Sequence, residues 1–196
     1  ATLRRQRQMC IRDRSKVTGL VDKGADKGAL ILTERTLKDA ESGLDLATLT
    51  STTFARGNGG YDGPSDEAPR PHKIPEREPD FAVDLTTLDM AALIYRLSGD
   101  YNPLHASPSV ARAAGFPKPI LHGLCSLGVA GHAILKGCCD YDAKRLKSLQ
   151  LRFSSPVYPG ETMRTEIWRD GANISFKSKI VERDVVVLDN GHATVE

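Results

Sequence analysis

The sequence lacks the features that mark membrane, secreted and nucleic-acid-binding proteins. No apolar stretch in its 196 residues approaches the roughly 20 that a membrane-spanning helix needs, and no apolar core follows the basic opening ATLRRQRQ, as it would in a signal peptide. Its 27 Lys and Arg are nearly balanced by 25 Asp and Glu, and they are scattered rather than clustered. We therefore expect a soluble, intracellular protein, cytoplasmic or peroxisomal, with no membrane or nucleic-acid partner.

Cysteine is also scarce. The chain has four, Cys10, Cys125, Cys138 and Cys139, and none of them forms a C-x-x-C pair of the kind found in zinc sites. Because an intracellular compartment keeps thiols reduced, we expect free, structural cysteines rather than disulfides or a structural metal.

Composition divides the chain into four segments. The stretch MCIRDR within residues 1–14 resembles the translation of a sequencing-library adapter, so this segment is predicted to be non-native. Residues 15–62 hold two strand-like runs, ALILTERTL and the Thr-rich LDLATLTSTTFAR, which predict an antiparallel hairpin at the end of a first domain. Residues 63–80 are dense in Gly, Pro and charge and predict an extended linker. Residues 81–196 form the second domain.

The second domain combines helical and strand patterns. Two short helical segments, TTLDMAALIYRLSG and SPSVARAAG, precede ILHGLCSLGVAGHAILKG at residues 120–137, which is apolar on most sides and therefore predicts a buried helix. Three alternating strands follow, LKSLQLRFSS, ETMRTEIWR and ISFKSKIVE, and the Asn-Gly pair in LDNGHATVE predicts a last hairpin. A long buried helix followed by a meander of strands indicates an α+β domain whose antiparallel sheet wraps around that helix.

The irregular turn GDYNPLH, between the two short helical segments, concentrates three chemically useful side chains. Asp100 and His105 could take and give a proton near neutral pH. Asn102 supplies an amide donor that could polarise a carbonyl, as could the backbone N–H of Gly123 at the start of the buried helix. Asp and Asn are also favoured turn formers, so these residues alone leave a purely structural turn as an alternative.

A metal site is a further alternative at this turn. Asp100, His105 and His122 are possible ligands, but the sequence offers neither Glu-x-x-His nor His-x-x-x-His spacing. His122 and His132 are interpreted as core or rim residues of the long helix. We therefore expect no metal ion here.

A family resemblance favours the catalytic interpretation. The stretch YRLSGDYNPLHASPSVARAAGFPKPILHGLCSLG, residues 95–128, is very similar to the signature of the MaoC-like, or hydratase 2, family of (R)-specific enoyl-CoA hydratases. The resemblance continues through RFSSPVYPGETMRTEIWRDG at 152–171, and LILTERTLKDAESGLDLATLTSTTFARGNGGYDG resembles the end of the first domain in two-domain members. It implies a hot dog fold preceded by part of a second hot dog, whose opening strand and helical region we expect the chain to lack.

The resemblance also implies a reaction. Asp100 and His105 match the catalytic acid/base pair, and Asn102 and the backbone of Gly123 match the groups that bind the thioester oxygen. The implied activity is the reversible hydration of trans-2-enoyl-CoA to (3R)-3-hydroxyacyl-CoA in fatty acyl-CoA metabolism, with no cofactor apart from the coenzyme A of the substrate.

Partners and alternatives remain to be tested. Lys118 and Arg152 are candidate contacts for the phosphates of coenzyme A, and hot dog sheets that pair edge to edge would give a homodimer or a two-hot-dog pseudo-dimer. Two other functions stay open, a hot dog acyl-CoA thioesterase and a non-catalytic acyl-CoA-binding or dimerisation module.

Overall fold

The computed structural model describes residues 11–65 and 70–196 and divides the chain into two compact units, with the boundary between Arg70 and Pro71. Most of the predicted non-native segment, residues 1–10, lies outside the described residues, whereas residues 11–14 pair with the following strand. The origin of that segment and the predicted domain boundaries remain predictions.

The first unit is a three-stranded antiparallel sheet. Its strands are β1 (Ile11–Asp22), β2 (Ala29–Asp39) and β3 (Asp45–Ala55), in the order β1-β2-β3. The pair β2–β3 is the predicted hairpin, with Leu30 opposite Phe54. Strand β1 was not predicted, because its charged sequence IRDRSK lacks the apolar alternation that indicates a strand. In the structure this segment pairs along its length with β2.

The second unit contains a five-stranded antiparallel sheet. Its strands are β4 (Phe81–Thr86), β5 (Leu146–Phe153), β6 (Thr162–Asp170), β7 (Asn173–Ile180) and β8 (Val185–Val195), in the order β4-β6-β7-β8-β5. Strands β6 to β8 form the expected meander. Strand β5 does not belong to this meander, contrary to the expectation that all the strands after the long helix pair in chain order. It precedes β6 in the chain but pairs with β8, at the edge of the sheet opposite β4.

The helices of the second unit are α1 (Ala91–Arg96), α2 (Pro108–Ala113) and α3 (Gly123–Cys138), with 3-10 turns at Pro103–His105 and Ala143–Arg145. Helix α3 packs on β4, β5 and β6, and its small residues let the sheet approach: a Cβ on Gly137 would lie 2.5 Å from the ring of Phe81. Ala130, Ala133 and Ile134 are fully buried in the shared core. The predicted hot dog architecture, an antiparallel sheet around a long buried helix, is confirmed. No described helix is long and apolar enough to cross a membrane.

The predicted last hairpin at Asn190-Gly191 is wrong. Strand β8 runs continuously through this pair, and Asn190 has a positive φ of 54° at an irregularity in its pairing. A Cβ on Gly191 would lie 2.4 Å from the carbonyl oxygen of Phe176 on β7. Asn-Gly suits any place where the chain needs positive φ and close backbone approach, and here that place is a bulge rather than a turn.

Part of the predicted linker, residues 71–80, lies against the sheet of the second unit. His72 Nε2 is 2.8 Å from Ser175 Oγ, and the His72 carbonyl accepts a hydrogen bond from Asn190 Nδ2 at 2.7 Å. Trp168 Nε1 donates to the carbonyl of Arg77 at 2.7 Å. These bonds fix an extended segment that has no regular hydrogen-bonded partner strand of its own.

Candidate active site

Local hydrogen bonds orient Asn102 and Asp100 within the turn that follows α1. Asn102 Oδ1 accepts the backbone N–H of Leu104 at 3.0 Å and so caps the 3-10 turn at Pro103–His105. Asp100 Oδ1 accepts the backbone N–H of Asn102 at 3.2 Å. Among the described residues, Asn102 Nδ2 and Asp100 Oδ2 have no hydrogen-bond partner. Hydrogen bonds within the turn therefore use one polar atom of each of these exposed side chains, and the other polar atom can bind a ligand.

Buried His105 has its tautomer fixed by the backbone. Its Nδ1 lies 2.8 Å from the carbonyl oxygen of Ile120, and the residue is only 9% exposed. Because a carbonyl can only accept, Nδ1 must carry the hydrogen, and the neutral ring then presents Nε2 as a proton acceptor. The Nε2 atom of His105 can therefore accept a proton from a neighbouring group.

His122, the residue before α3, belongs to the same cluster. Its ring stacks on that of His105, with centroids 3.8 Å apart and an interplanar angle of 27°. Its Nε2 lies 3.3 Å from the carbonyl oxygen of Asp100 and therefore donates. Its Nδ1 is the one buried side-chain polar atom in the described chain without a partner. Such an atom costs about 1–3 kcal/mol, so this position favours a bound water or ligand.

The interpretation of His122 as a core or rim residue captured its burial, at 1% exposure, but missed these contacts. Burial and, to a lesser extent, the nearby His105 lower the pKa of His122. The Tyr95 ring lies 4.6 Å from the His122 ring, and burial raises the pKa of Tyr95. The lowered pKa favours the neutral imidazole of His122 beside His105.

The carboxylate of Asp100 and the imidazole of His105 are close enough to share a water. One ligand atom from each lies within 4.8 Å of the other. Two hydrogen bonds of about 2.8 Å, meeting at the tetrahedral angle of one water oxygen, span about 4.5 Å. The pair can therefore hold and polarise a single water molecule.

Gly123 starts α3 directly after His122. It is exposed, and its backbone N–H donates no hydrogen bond within the described residues. This N–H lies at the positive end of a 16-residue helix, where a developing oxyanion is stabilised. A Cβ on Gly123 would lie 3.3 Å from the ring of Phe153, which is 50% exposed. The sequence pattern identified Phe153 only as an inward-alternating strand residue, so its position beside Gly123 was missed.

Lys118 and Arg152 are exposed and lie apart from these contacts. The Lys118 ammonium is 5.2 Å from the centroid of the Tyr158 ring. Arg152 precedes Phe153 on β5, and strand alternation directs its side chain to the other face of the sheet. In the described chain, no hydrogen bond, ion pair or ring contact joins either cation to the turn at 99–105.

Comparison with known proteins supports the resemblance seen in the sequence. The family model of the MaoC-like domain matches residues 71–191. The chain is 43% identical over 183 residues to 3-hydroxyacyl-thioester dehydratase Y of Mycobacterium tuberculosis, covering 90% of this chain and 63% of that protein. It is 42% identical over 185 residues to a probable enoyl-CoA hydratase 2 of Dictyostelium discoideum, covering 93% and 62%.

A solved structure gives the same result for the fold. The crystal structure of a MaoC-like dehydratase from Phytophthora capsici matches with a TM-score of 0.88 and 42% identity, over 95% of this chain and 64% of that one. The chain thus spans about six tenths of the length of each of these three relatives.

Proposed function

Because this chain belongs to the MaoC-like dehydratase family, we propose that it hydrates trans-2-enoyl-CoA to (3R)-3-hydroxyacyl-CoA and catalyses the reverse dehydration. The observation that carries the proposal is the pairing of two proton-transfer groups, Asp100 and His105, within 4.8 Å of each other. The names of the relatives, a 3-hydroxyacyl-thioester dehydratase and a probable enoyl-CoA hydratase 2, point to the same reaction class.

The proton-transfer pair accounts for the addition of water. Water bound between Asp100 and His105 attacks C3 of the enoyl group, and one of its protons passes to the pair as the C3–O bond forms. One proton returns from the pair to C2. All atoms of the water are retained in the product, and the pair is restored to its starting protonation state. Each positioned proton-transfer group is typically worth ~10²–10⁴-fold in rate.

Two free donors account for stabilisation of the thioester oxygen. Attack at C3 moves negative charge onto this oxygen, so donors aimed at it lower the barrier by roughly 3–4 kcal/mol each. Asn102 Nδ2 and the Gly123 N–H are unpartnered within the described residues and suit this role. The fixed tautomer of His105 directs Nε2, rather than Nδ1, to the reacting atoms.

Coenzyme A enters the proposal as part of the substrate. Its phosphates require cations, and the exposed Lys118 and Arg152 remain our candidates. For assembly we retain a homodimer or a two-hot-dog pseudo-dimer, as the family resemblance implies.

The reaction class is tested with crotonyl-CoA and a longer trans-2-enoyl-CoA. We expect loss of enoyl absorbance with no release of free thiol, which a thiol reagent measures in the same sample. Thiol release at the rate of substrate loss would instead identify a thioesterase. Tight binding of both substrates without either signal would identify a non-catalytic acyl-CoA-binding module.

A further inference from the structure

The short segment before helix α3 supplies several groups of the candidate site. The carbonyl oxygen of Ile120 lies 2.8 Å from His105 Nδ1 and fixes the tautomer of that ring. His122, which stacks on His105, and Gly123, our oxyanion donor, follow directly in the chain. Residues 119–122 lie between the described helices and strands, so their position depends on individual contacts rather than on a hydrogen-bonded ladder.

A second irregular segment, residues 154–161 between β5 and β6, holds the first one. The backbone N–H of Leu121 donates to the carbonyl oxygen of Val157 at 2.7 Å. Both side chains are buried in the core that helix α3 shares with the sheet. Because Ile120 immediately precedes Leu121, the place of the Ile120 carbonyl follows the place of Val157.

An ion pair ties both neighbours of Val157 to the sheet. Arg183, in the turn between β7 and β8, donates from Nε to Glu161 Oε1 at 2.6 Å and from Nη2 to Glu161 Oε2 at 2.9 Å. The same Nη2 donates to the carbonyl of Pro156 at 2.8 Å. Glu161 Oε2 also accepts the backbone N–H of Tyr158 at 2.8 Å. The residues before and after Val157 are therefore bonded to the Glu161–Arg183 pair.

The geometry of the Glu161–Arg183 pair suits the placement of a backbone segment. The Glu161 side chain is 12% exposed and that of Arg183 is 31% exposed, so water has limited access to their bonds. A two-point contact between a planar guanidinium and a planar carboxylate fixes orientation as well as distance. The guanidinium also lies 5.0 Å from the centroid of the Tyr158 ring, which restricts the same loop from its side-chain face.

We propose that Glu161 and Arg183 are positioning residues for the proposed hydration. Through Val157 they set the place of the Ile120 carbonyl, and that carbonyl holds the hydrogen of His105 on Nδ1. If the carbonyl moves, the ring can carry its hydrogen on Nε2 instead and then has no lone pair there for proton transfer. The catalytic consequence rests on the proposed function, whereas the tautomer of His105 can be measured without turnover.

Two variants of the pair test its effect on turnover. Arg183→Gln removes the guanidinium, and Glu161→Gln keeps the shape of the side chain but turns an amide nitrogen toward a donor in either orientation. We expect each to lower kcat for crotonyl-CoA hydration by about 10–10²-fold with KM little changed, since the displaced groups act in the transition state. The double variant should lose little more than either single variant, because the two residues act as one unit.

The tautomer of His105 separates positioning from a loss of stability. It is measured by NMR of isotope-labelled histidine side chains, with the His105 signals assigned from His105→Gln. The wild-type ring should carry its hydrogen on Nδ1, as the Ile120 carbonyl requires. Both pair variants should show a mixture of the two tautomers. A lower free energy of unfolding alone would leave the tautomer in the folded chain unchanged.

Arg164→Gln is the matched control, because Arg164 makes a two-point ion pair with Asp84, at 2.8 and 2.6 Å, between β6 and β4. It should leave kcat and the His105 tautomer unchanged. Wild-type kcat and tautomer in either pair variant, or an equal loss of kcat in Arg164→Gln, would overturn the proposal. A lowered kcat with the wild-type tautomer would overturn the route through Ile120. Absence of hydratase activity in the wild-type chain would refute the proposed function, and the tautomer would still decide whether the pair positions His105.

Discussion

The rings of His105 and His122 stack with their centroids 3.8 Å apart, so a 3-10 turn and the start of helix α3 are held together at the proposed reaction centre. His105 carries a free Nε2 and His122 carries a free Nδ1. The first nitrogen serves proton transfer in our account.

Removal of either proton-transfer group should slow turnover by orders of magnitude with little effect on folding. We expect Asp100→Asn and His105→Gln each to lower kcat for crotonyl-CoA hydration by ~10²–10⁴-fold. Asp100 is exposed, so its variant should keep the wild-type Tm. His105→Gln retains a side-chain donor for the Ile120 carbonyl, and Tm should fall only slightly. A variant with wild-type kcat would remove that residue from the mechanism.

Acid should destabilise the folded chain through two histidines, the buried His122 and the half-buried His72. Burial lowers the pKa of His122 and of His72, the latter also through the nearby His192. Unfolded imidazoles titrate near 6.5, so below that pH the unfolded chain binds more protons than the folded one. The free energy of unfolding should therefore fall as pH is lowered from 7 through this window and level off below the folded pKa values.

Urea unfolding at about pH 7.5 and pH 5.5 measures this loss. In His72→Asn the loss should be smaller than in wild type, because one of the two groups no longer takes up a proton on unfolding. His132→Asn is the matched control, and an equal loss in all three proteins would contradict the assignment.

A methyl group on Gly123 should impair catalysis more than stability. Its Cβ would lie 3.3 Å from the half-exposed Phe153 ring, which can move aside but would then crowd the Gly123 N–H. We expect a decrease in kcat of up to the roughly 10²-fold that loss of one oxyanion donor costs.

The control is Gly128→Ala on the same helix, where nothing lies within 4 Å of the new Cβ. Alanine there should raise stability by roughly 0.5–1 kcal/mol through its higher helix propensity, with kcat unchanged. If both variants lost activity equally, the effect would belong to helix α3 as a whole rather than to the Gly123 N–H.

Replacement of Gly191 by Ala tests the bulge in β8. The new Cβ would lie 2.4 Å from the Phe176 carbonyl oxygen, so we expect a loss of at least the roughly 1–3 kcal/mol typical of overpacking. Thermal unfolding measures it. An unchanged Tm would mean that Gly191 lies in an open turn, as the Asn-Gly pair first indicated.

Patterns with one strong periodicity were predictable from the sequence, whereas spatial pairings were not. The apolar run around Ala130 and Ala133 predicted buried α3, and alternation predicted β5 to β7. The placement of β5 beside β8 was missed because edge order depends on the whole sheet. Similarly, Asn190-Gly191 gives the same local signal for a turn and for a bulge.

The residues of the candidate site also fall into two groups, those that a sequence motif identifies and those that only the fold brings together. The turn residues Asp100, Asn102 and His105 are close in sequence and share one quoted motif, so they could be identified together. The contacts of His122 depend on how the start of α3 meets that turn, which no local pattern in the sequence reveals. Phe153 was missed for the same reason, since β5 brings it to Gly123 only in the folded sheet.

The stereochemistry of the hydration product tests the central claim most directly. The chain is incubated with crotonyl-CoA, and the 3-hydroxybutyryl-CoA formed is resolved by chiral chromatography. Our account predicts the (3R) product from the wild-type chain and about 10²-fold less product, or lower still, from Asp100→Asn in the same time. A (3S) product, or equal product from wild type and Asp100→Asn, would contradict it.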